Sequence, residues 1–284
     1  MCTTCGCSDS SQPRLTNLTT GLTITLDEVQ GHDHSHHEHS HHHDHTHNHS
    51  HDHSKRSGTT ITLEAAVLAK NDRLAERNRG WLAGRDILAL NLVSSPGAGK
   101  TTLLERTIHD LAGELSLSVI EGDQETLNDA ERIRATGCRV VQINTGTGCH
   151  LDAAMLARGL DQLDPPLHSI VMIENVGNLV CPALFDLGER AKVVIASVAE
   201  GDDKPLKYPH MFRASTLVVL NKVDLLPYVP FDVTRFLAHV RQVNPALQVL
   251  RVSATTGEGL PDWYEWLRVQ AAPGSVVSAA SAFQ

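Results

Sequence analysis

Residues 94–102 read SSPGAGKTT, and they lie between the apolar run Ile87–Val93 and the helical pattern Thr101–Leu111. A strand, a glycine-containing loop and a helix in this order form a phosphate-binding P-loop. Gly97 and Gly99 leave room for backbone N–H groups to surround phosphate oxygens, and the helix N-terminus adds a partial positive charge. We therefore predict a nucleotide-binding domain rather than a chance strand–turn–helix.

Individual residues of the P-loop have separate expected roles. The Lys100 ammonium group should reach the β- and γ-phosphates, and the Thr101 hydroxyl should bind Mg²⁺. Ser94 stands where the motif usually has its first glycine, so the strict pattern fails at one residue. The residues of this loop predicted to contact the nucleotide are Ser95, Gly97, Ala98, Gly99, Lys100, Thr101 and Thr102.

Apolar runs alternate with helical patterns from residue 86 onward. Several runs are continuously apolar, as expected for parallel strands that are covered on both faces. This alternation predicts βαβ units and therefore one doubly wound, mostly parallel α/β domain over residues 86–270. The predicted strands are Ile87–Val93, Leu117–Glu121, Arg139–Ile143, Ile170–Glu174, Val193–Val198, Leu217–Asn221 and Leu247–Val252.

A guanine pocket is predicted by residues 221–224, which read NKVD at the end of an apolar strand. The Asp224 carboxylate can accept hydrogen bonds from both N1–H and N2–H of guanine. Adenine lacks this pair of donors, so a buried carboxylate that faced adenine would stay unpaired. The next strand ends near Ser253 and Ala254, where G proteins place a loop that supports the base. GTP is therefore preferred over ATP, and the predicted base-binding residues are Asn221, Lys222, Asp224, Ser253 and Ala254.

Acidic residues that follow two other strands are candidates for holding magnesium. Residues 174–177 read ENVG, which matches the D-x-x-G motif of GTPases with Glu174 in place of aspartate. Glu174 can bind Mg²⁺ directly or through water, and the Gly177 N–H can sense the γ-phosphate. Asp123 is a second acidic candidate, although a solvated loop carboxylate or a helix cap explains it equally well.

Asn178 follows Gly177 where many GTPases have a water-positioning glutamine, so intrinsic hydrolysis should be slow. The predicted catalytic residues are Lys100, Thr101, Asp123 and Glu174.

A transition-metal site is predicted beside the nucleotide. Cys149 and His150 follow a glycine-rich loop at the start of a helical pattern, a position that lowers a cysteine pKa and favours the thiolate. Cys181 lies four residues after Gly177, in the segment expected to respond to the γ-phosphate. If the three side chains share one ion, the segment that reads GTP also moves a metal ligand. The alternative is that Cys181 belongs to the core and His150 caps a helix.

Two more metal-binding groups precede this domain. Cys2, Cys5 and Cys7 can wrap one nickel or zinc ion, with the Cys2 amine as a fourth ligand once Met1 is removed. Chance spacing or a redox pair is the alternative. The tract His32–His53 contains thirteen histidines and should bind several nickel ions weakly, as a buffer or store. Catalysis in this tract is implausible because no scaffold positions its side chains.

Composition limits the other functions that the chain can have. A formal net charge of −9 without a Lys/Arg cluster excludes nucleic acid and anionic membranes as expected partners. No run approaches the ~20 apolar residues of a membrane span, and the N-terminus lacks the features of a secretory signal. We therefore expect a cytoplasmic protein whose cysteines stay reduced.

The regions outside the core have different compositions. The first 57 residues contain too few apolar residues to fold, and we expect them to stay largely disordered without metal. A helix is predicted over residues 62–83, with Thr62 as its N-cap, that either packs on the domain or serves as an arm for a partner. Its apolar stripe is predicted to contain Leu63, Ala66, Val67, Leu74, Trp81 and Leu82. The predicted segments are a cysteine-headed metal-binding N-terminus (1–30), a histidine-rich low-complexity tract (31–57), a helical arm (58–85), the P-loop GTPase domain (86–270) and a disordered tail (271–284).

Together these segments resemble the nickel-incorporation GTPases of hydrogenase maturation, the HypB family. The resemblance spans almost the whole chain and rests on CTTCGC, the histidine tract, SSPGAGKTTLL, EGDQET, NTGTGCHLDA, ENVGNLVCP, EGDDKPLKYP and NKVDLLPY. It implies a homodimerising GTPase that uses GTP/GDP and Mg²⁺. It further implies delivery of Ni²⁺ to the precursor of the [NiFe]-hydrogenase large subunit, together with a small zinc/nickel accessory protein. High-affinity nickel binding would fall on Cys2, Cys5 and Cys7, and a weaker Ni²⁺/Zn²⁺ site on Cys149, His150 and Cys181.

Two other interpretations remain open at the level of sequence. A urease-type nickel GTPase shares much of the nucleotide site but typically carries Cys-Pro-His, whereas this chain has Gly-Cys-His and the N-terminal CTTCGC. A nickel/zinc buffer whose GTPase only controls assembly would release nickel independently of the nucleotide. The apolar residues after NKVD form either a dimer surface or a buried loop, and they are Leu225, Leu226, Tyr228 and Val229.

Overall fold

The computed structural model describes residues 13–26, 55–124 and 128–272. Its strands form one nine-stranded sheet. They are β1 Arg14–Asn17, β2 Thr23–Thr25, β3 Leu88–Ser94, β4 Leu117–Asp123, β5 Arg139–Asn144, β6 Ile170–Glu174, β7 Ala191–Ser197, β8 Leu217–Asn221 and β9 Gln248–Arg251. The helices are α1 Lys55–Ala83, α2 Lys100–Asp110, α3 Asn128–Ala135, α4 Ala153–Leu163, α5 Lys204–Lys207, α6 Pro209–Ala214, α7 Val233–Val243 and α8 Leu260–Ala271, with 3₁₀ turns at Cys181–Ala183 and Val223–Tyr228.

The sheet has the order β2-β1-β5-β4-β6-β3-β7-β8-β9. Its seven strands β3 to β9 run parallel to one another. This confirms the prediction of a doubly wound, mostly parallel α/β fold. All predicted strands are present, with ends within two residues of those expected. Among the described residues, no helix combines the length and apolar character needed to cross a membrane.

Alternate residues of the central strand β3 contribute to two different hydrophobic clusters. Leu90 packs in a cluster that includes Leu103 of α2 and Trp263 of α8. Ala89 belongs to a second cluster, which includes Leu156 of α4. Because successive side chains of a strand point to opposite faces, helices cover both faces of the sheet. This explains why the parallel strands are apolar throughout rather than alternating.

The position of β3 determines where a ligand can bind. This strand lies between β6 and β7, so the chain winds first toward one side of the sheet and then toward the other. Ligands of open α/β sheets bind at such a switch point, beyond the carboxyl ends of the strands. The P-loop starts at the carboxyl end of β3, and the residues after β4, β5, β6 and β8 meet it at the same edge.

The prediction of disorder before residue 57 is wrong for residues 13–26. Strand β1 pairs antiparallel with β5, with Leu15 opposite Ile143, and β2 pairs antiparallel with β1. Leu15 and Leu26 are buried in the cluster that contains Ile143. The edge of β5 therefore orders this segment through backbone hydrogen bonds and two apolar contacts, which a composition average over many polar neighbours does not reveal.

Helix α1 begins at Lys55, so Thr62 lies inside the helix and is not its N-cap. The helix packs on the domain through Asn71, Ala75, Asn78 and Leu82, which are all buried. These positions are spaced as one helical face. The predicted stripe was wrong in part, because Ala66 and Val67 are exposed and two asparagines occupy the buried face instead. Of the two alternatives for this helix, packing on the domain is confirmed for its C-terminal half.

We predict that Leu15→Ala lowers the free energy of unfolding by about 2–5 kcal/mol, because it leaves a cavity where a fully buried side chain was. The control is Leu22→Ala on the same hairpin, where 51% of the side chain is exposed. Chemical denaturation followed by circular dichroism measures both changes. Equal effects of the two substitutions would contradict the packing of this hairpin on the sheet.

Candidate nucleotide and metal sites

A cavity of about 720 Å³ opens at the carboxyl edge of the sheet, beside the P-loop. Most residues predicted to bind nucleotide or magnesium line it. They are Gly97, Ala98, Gly99, Lys100, Thr101, Thr102, Asp123, Glu174, Gly177, Asn221, Lys222, Asp224 and Ala254. Ser95 and Ser253 do not line the cavity, and each has another role.

The NKVD segment holds the P-loop directly. The Asn221 side chain donates to the Ala98 carbonyl at 3.0 Å, and the Lys222 ammonium group donates to the Gly97 carbonyl at 2.7 Å. Gly99 has φ +95, and a Cβ there would lie 2.5 Å from Asn221 Nδ2. Only glycine therefore fits at position 99, between the phosphate loop and Asn221.

Ser95 was predicted to contact the nucleotide, but its hydroxyl accepts a hydrogen bond from Lys204. The same Lys204 ammonium group also donates to Glu200 Oε1 at 2.9 Å. Lys204 and Glu200 both belong to the EGDDK segment that follows β7, so this segment supports the P-loop from one side. Lys100 donates to Ser94 Oγ at 3.0 Å, within the loop itself.

At the base end of the cavity, Asp224 Oδ1 is buried and has no hydrogen-bond partner among the described residues. The Ala254 N–H donates to Asn221 Oδ1 at 3.1 Å, which ties the loop after β9 to β8. The Ser253 hydroxyl is fully buried and accepts from the Thr256 N–H at 3.0 Å. Ser253 therefore shapes the base-binding loop, whereas Asp224 presents an unsatisfied acceptor to the cavity.

At the phosphate end, the Thr101 hydroxyl donates to Glu174 Oε1 at 2.8 Å. Glu174 Oε2 is buried and accepts no hydrogen bond from the described residues, and the same is true of Glu121 Oε2. Burial raises the pKa of Glu174. Burial and the adjacent Glu174 raise the pKa of Glu121 to about 9. A cluster of hard oxygen donors with unsatisfied lone pairs fits a divalent cation such as Mg²⁺, and Glu121 is a member that the sequence analysis missed.

The three predicted inner metal ligands come together. The ligand atoms of Cys149, His150 and Cys181 all lie within 4.8 Å of one another. The two sulfur atoms are 3.2 Å apart, and Cys149 Sγ lies 3.7 Å from His150 Nδ1. The sulfurs are thus too distant for a disulfide bond of about 2.05 Å and close enough to share an ion.

The surroundings of His150 favour its role as a neutral ligand. Its ring packs against the Phe185 ring with the centroids 4.0 Å apart. Burial lowers the pKa of His150, which favours the neutral imidazole, the form that can bind a metal. Cys181 is 6% exposed and lies in a 3₁₀ turn. Asp152 caps α4, so His150 does not have the capping role of the alternative interpretation. Cys181 is buried, as that interpretation expects of a core residue.

Two asparagines connect the nucleotide cavity with the metal cluster, and neither connection was predicted from the sequence. Asn175 Oδ1 accepts from the Leu151 N–H at 3.2 Å. Asn178 Nδ2 donates to the Cys149 carbonyl at 3.2 Å, and its Oδ1 accepts from the Val180 N–H at 2.8 Å. The segment after β6 is therefore hydrogen-bonded to both segments that carry the metal ligands.

The same segment touches the P-loop. A Cβ on Gly177 would lie 3.1 Å from Pro96 Cγ and 3.2 Å from Pro96 N. Asn175 also donates through Nδ2 to Asn91 Oδ1 at 3.2 Å, inside the strand that leads into the P-loop. Residues 174–178 therefore contact both the phosphate loop and the segment that carries Cys149 and His150. The signal for Asn91 in the sequence is a polar residue within the apolar run LALNLV.

The remaining predicted metal ligands cannot be placed. Cys2, Cys5, Cys7 and the tract His32–His53 lie outside the described residues.

The fold and the cavity define a P-loop nucleotide-binding protein. The family model "CobW/HypB/UreG, nucleotide-binding domain" matches residues 88–251. The hydrogenase maturation factor HypB of Escherichia coli K12 is 58% identical over 210 residues, which cover 74% of this chain and 72% of that protein. HypB of Rhizobium leguminosarum is 57% identical over 218 residues, 77% of this chain and 73% of that protein.

Solved structures agree with these sequence relatives. The crystal structure of HypB from Archaeoglobus fulgidus has a TM-score of 0.67 and 40% identity, and the match covers 72% of this chain and 100% of that one. The structure of HypB from Helicobacter pylori in complex with nickel also has a TM-score of 0.67, with 36% identity over 71% of this chain and 95% of that one. The chain belongs to the HypB hydrogenase maturation factors of the CobW/HypB/UreG family.

We predict that Asp224→Asn weakens GDP binding by roughly 100-fold, about 2.8 kcal/mol, because an amide N–H would then face the guanine donors. Binding of xanthosine diphosphate should improve, since xanthine has a carbonyl where guanine has its exocyclic amine. The control is Asp262→Asn at an exposed position of α8. Fluorescent-nucleotide titration measures all three proteins, and unchanged preference in Asp224→Asn would show that this carboxylate does not read the base.

Proposed function

We propose that this chain is a GTP-hydrolysing nickel metallochaperone that delivers nickel to the precursor of the [NiFe]-hydrogenase large subunit. The observation that carries this proposal is the hydrogen bond from Asn178 to the Cys149 carbonyl, beside the ENVG segment of the nucleotide cavity. It joins the region expected to sense the γ-phosphate to a cluster of soft metal ligands. Two thiolates and one neutral imidazole suit Ni²⁺ or Zn²⁺ rather than a hard cation.

The two ends of the nucleotide cavity have different roles in this function. Asp224 accepts the guanine donors, the loop at Gly97–Gly99 surrounds the phosphates with N–H groups, and Lys100 neutralises their charge. Thr101 and Glu174 would hold Mg²⁺, which offsets the negative charge of the β- and γ-phosphates when it is bound. Glu121 and Asp123 add carboxylates beside it. With Asn178 engaged by Cys149, no described residue at this position orients water as a glutamine would, and slow intrinsic hydrolysis follows.

Nickel is the ion that this protein carries and delivers, and it is not a resident cofactor. Cys149 and His150 lie on one segment, and Cys181 lies on another that continues directly from residues 174–178. GTP draws the Gly177 N–H toward the γ-phosphate, and Asn175 and Asn178 carry this displacement to both ligand segments. The cluster then changes its nickel affinity, and hydrolysis restores the first arrangement. Zinc competes for the same donors.

Formation of a homodimer and storage of nickel are also part of this function. Tyr228 is 82% exposed, and Leu225, Leu226 and Val229 beside it are partly buried against the core. This apolar surface at the nucleotide edge suits a homodimer that forms when nucleotide or metal is bound. A small zinc/nickel accessory protein and the large-subunit precursor are the proposed partners, in the cytoplasm. The tract His32–His53 would store nickel, and Cys2, Cys5 and Cys7 would hold one ion tightly.

A related protein of Helicobacter hepaticus, a hydrogenase/urease maturation factor, is 37% identical over 218 residues, 74% of this chain and 89% of that protein. A urease-type role is therefore the second candidate for the acceptor. The Cys149-His150 pair lacks the proline of the Cys-Pro-His motif that is typical of urease-type GTPases, so hydrogenase remains preferred.

We predict that nickel affinity at Cys149, His150 and Cys181 differs about 5- to 150-fold between the GDP form and the form with Mg²⁺ and a non-hydrolysable GTP analogue, a coupling of about 1–3 kcal/mol. The full chain with Cys2, Cys5 and Cys7 replaced by alanine is used, because truncation would remove the hairpin at β1 and β2. Thiolate-to-nickel absorption reports the inner cluster selectively, since the histidine tract has no sulfur.

The same titration is carried out on two variants, one that removes a proposed ligand and one that serves as its control. Cys181→Ala should abolish the nucleotide dependence, whereas Cys138→Ala, a thiol outside the cluster, should keep it. Equal nickel affinity in both nucleotide states would leave a metal store whose GTPase acts through assembly alone.

We further predict that Asn178→Ala reduces the nucleotide dependence of nickel affinity at least threefold while nucleotide and nickel still bind. The matched control is Asn144→Ala, whose side chain accepts from the Gly146 N–H at 2.7 Å before the same loop and makes no hydrogen bond to residues 174–178 among the described residues. The same absorption titration measures both variants. A coupling as large in Asn178→Ala as in the parent chain would refute this connection.

A further inference from the structure

The inner face of α1 carries two buried asparagines, and each one bonds to both segments that hold the metal ligands. Asn71 Oδ1 accepts from the Ala153 N–H at 2.9 Å, and its Nδ2 donates to the Asp186 carbonyl at 2.7 Å. Asn78 Nδ2 donates to the Ala153 carbonyl at 2.8 Å and to the Leu187 carbonyl at 2.9 Å. The helix thus joins the backbone at residue 153 to the backbone at residues 186–187.

These contact points lie close to the ligands in the chain. Ala153 follows His150 by three residues, and Asp186 follows Cys181 by five. Between them, the ring of Phe185 packs on His150. The distance between the two backbone segments therefore limits how far Cys181 can move from Cys149 and His150.

Other contacts keep α1 close to the second segment. Arg79 donates to Asp186 Oδ2 at 2.5 Å and to the Glu189 carbonyl at 3.3 Å. Gly188 has φ +90, and a Cβ there would lie 2.4 Å from the Ala75 carbonyl oxygen and 2.8 Å from Asn78 Cβ. The segment is thus pressed against the helix backbone at a position that accepts only glycine.

Apolar side chains would hold α1 on the domain without these amides. Asn71 and Asn78 are 6% and 5% exposed, and a buried amide is tolerated only when its hydrogen bonds are made. Hydrogen bonds to fixed backbone atoms define position more narrowly than apolar contacts do, because they depend on direction as well as distance. The residue type therefore indicates that α1 fixes a geometry in addition to burying surface.

We propose that Asn71 and Asn78 are positioning residues that clasp the 149–153 and 181–187 segments at the separation required by the Cys149, His150 and Cys181 metal site. The clasp rests on the proposed nickel binding at these residues. Through this clasp α1 becomes part of the metal site, although it supplies no ligand. The helix begins at Lys55, and only Ser54 separates it from the histidine tract. Loss of the clasp loosens the site without affecting the nucleotide end of the cavity.

The test compares Asn71→Ala and Asn78→Ala with a matched control, Asn17→Ala, in the full chain with Cys2, Cys5 and Cys7 replaced by alanine. Asn17 is 7% exposed, and its Nδ2 donates to the Gln162 carbonyl at 2.7 Å at the other end of α4. All three variants lose a buried amide that bonds to the backbone. Nickel affinity by chelator competition, the thiolate-to-nickel absorption band, GDP affinity and the thermal midpoint are measured for each.

We expect Asn71→Ala and Asn78→Ala to weaken nickel binding at least fivefold and to shift the absorption band, with GDP affinity within twofold of the parent chain. Asn17→Ala should lower the thermal midpoint by a similar amount and leave nickel affinity and the band unchanged. Asn78→Leu, which keeps a side chain branched at Cγ and removes the hydrogen bonds, should behave as Asn78→Ala and serves if the alanine variant does not fold.

The clasp is overturned if the clasp variants lose stability but bind nickel with the parent affinity and band, or if Asn17→Ala weakens nickel equally. Failure of the proposed function gives a different result. In that case the parent chain shows no thiolate-to-nickel band that Cys181→Ala removes, and the metal site and its clasp are both rejected.

Discussion

The side chain of Asn175 holds together the three segments on which both sites depend. This residue is 1% exposed. Its amide donates to Asn91 in β3, its carbonyl oxygen accepts from Leu151 beside the metal ligands, and its own N–H donates to the Leu92 carbonyl at 3.0 Å. A parallel sheet delivers strand ends to one edge, but it does not by itself fix the loops that follow. The buried amide of Asn175 bonds to two of the three segments directly, and the Asn178 bond to the Cys149 carbonyl adds to this connection.

The two sites use buried polar groups in opposite ways. Around α1 and Asn175, the side-chain amides of asparagines join separate segments of the chain by hydrogen bonds, so these groups define geometry. In the nucleotide cavity, Glu121, Glu174 and Asp224 each keep a buried oxygen without a partner among the described residues. An unsatisfied buried acceptor costs about 1–3 kcal/mol of stability. Proteins retain such groups where a ligand satisfies them, and the three oxygens lie at the two ends where a guanine base and a magnesium-bound phosphate would be.

The sequence was sufficient to predict features that depend on local pattern. Apolar runs gave the seven parallel strands, and the P-loop, NKVD and ENVG motifs gave the edge of the sheet that carries the cavity. The Cys149, His150 and Cys181 cluster also followed, because parallel strands bring their carboxyl ends together. Features that depend on long-range backbone pairing were missed. The hairpin at residues 13–26 is ordered by the edge of β5, which no nearby residue reveals.

The hydrogen-bonded asparagines were missed for a related reason. Asn71 and Asn78 read as polar positions of a helix exposed to solvent, and periodicity assigned the inner face to apolar neighbours instead. Their partners are backbone atoms about 75 to 115 residues away in sequence, and backbone atoms have no signature in a sequence. Ser95 was assigned to the nucleotide by its place in the motif, although Lys204 from a later segment occupies its hydroxyl.

We propose that the nucleotide acts on the metal through the separation of the two segments that carry Cys149 and Cys181. Nickel-edge X-ray absorption of the full chain, with Cys2, Cys5 and Cys7 replaced by alanine and one equivalent of nickel, measures this directly. With GDP, the spectrum should show two sulfur neighbours, contributed by Cys149 and Cys181. With Mg²⁺ and the GTP analogue, the number of sulfur neighbours or their distance from nickel should change. Identical sulfur coordination in the two states, with both nucleotides bound, would contradict the claim.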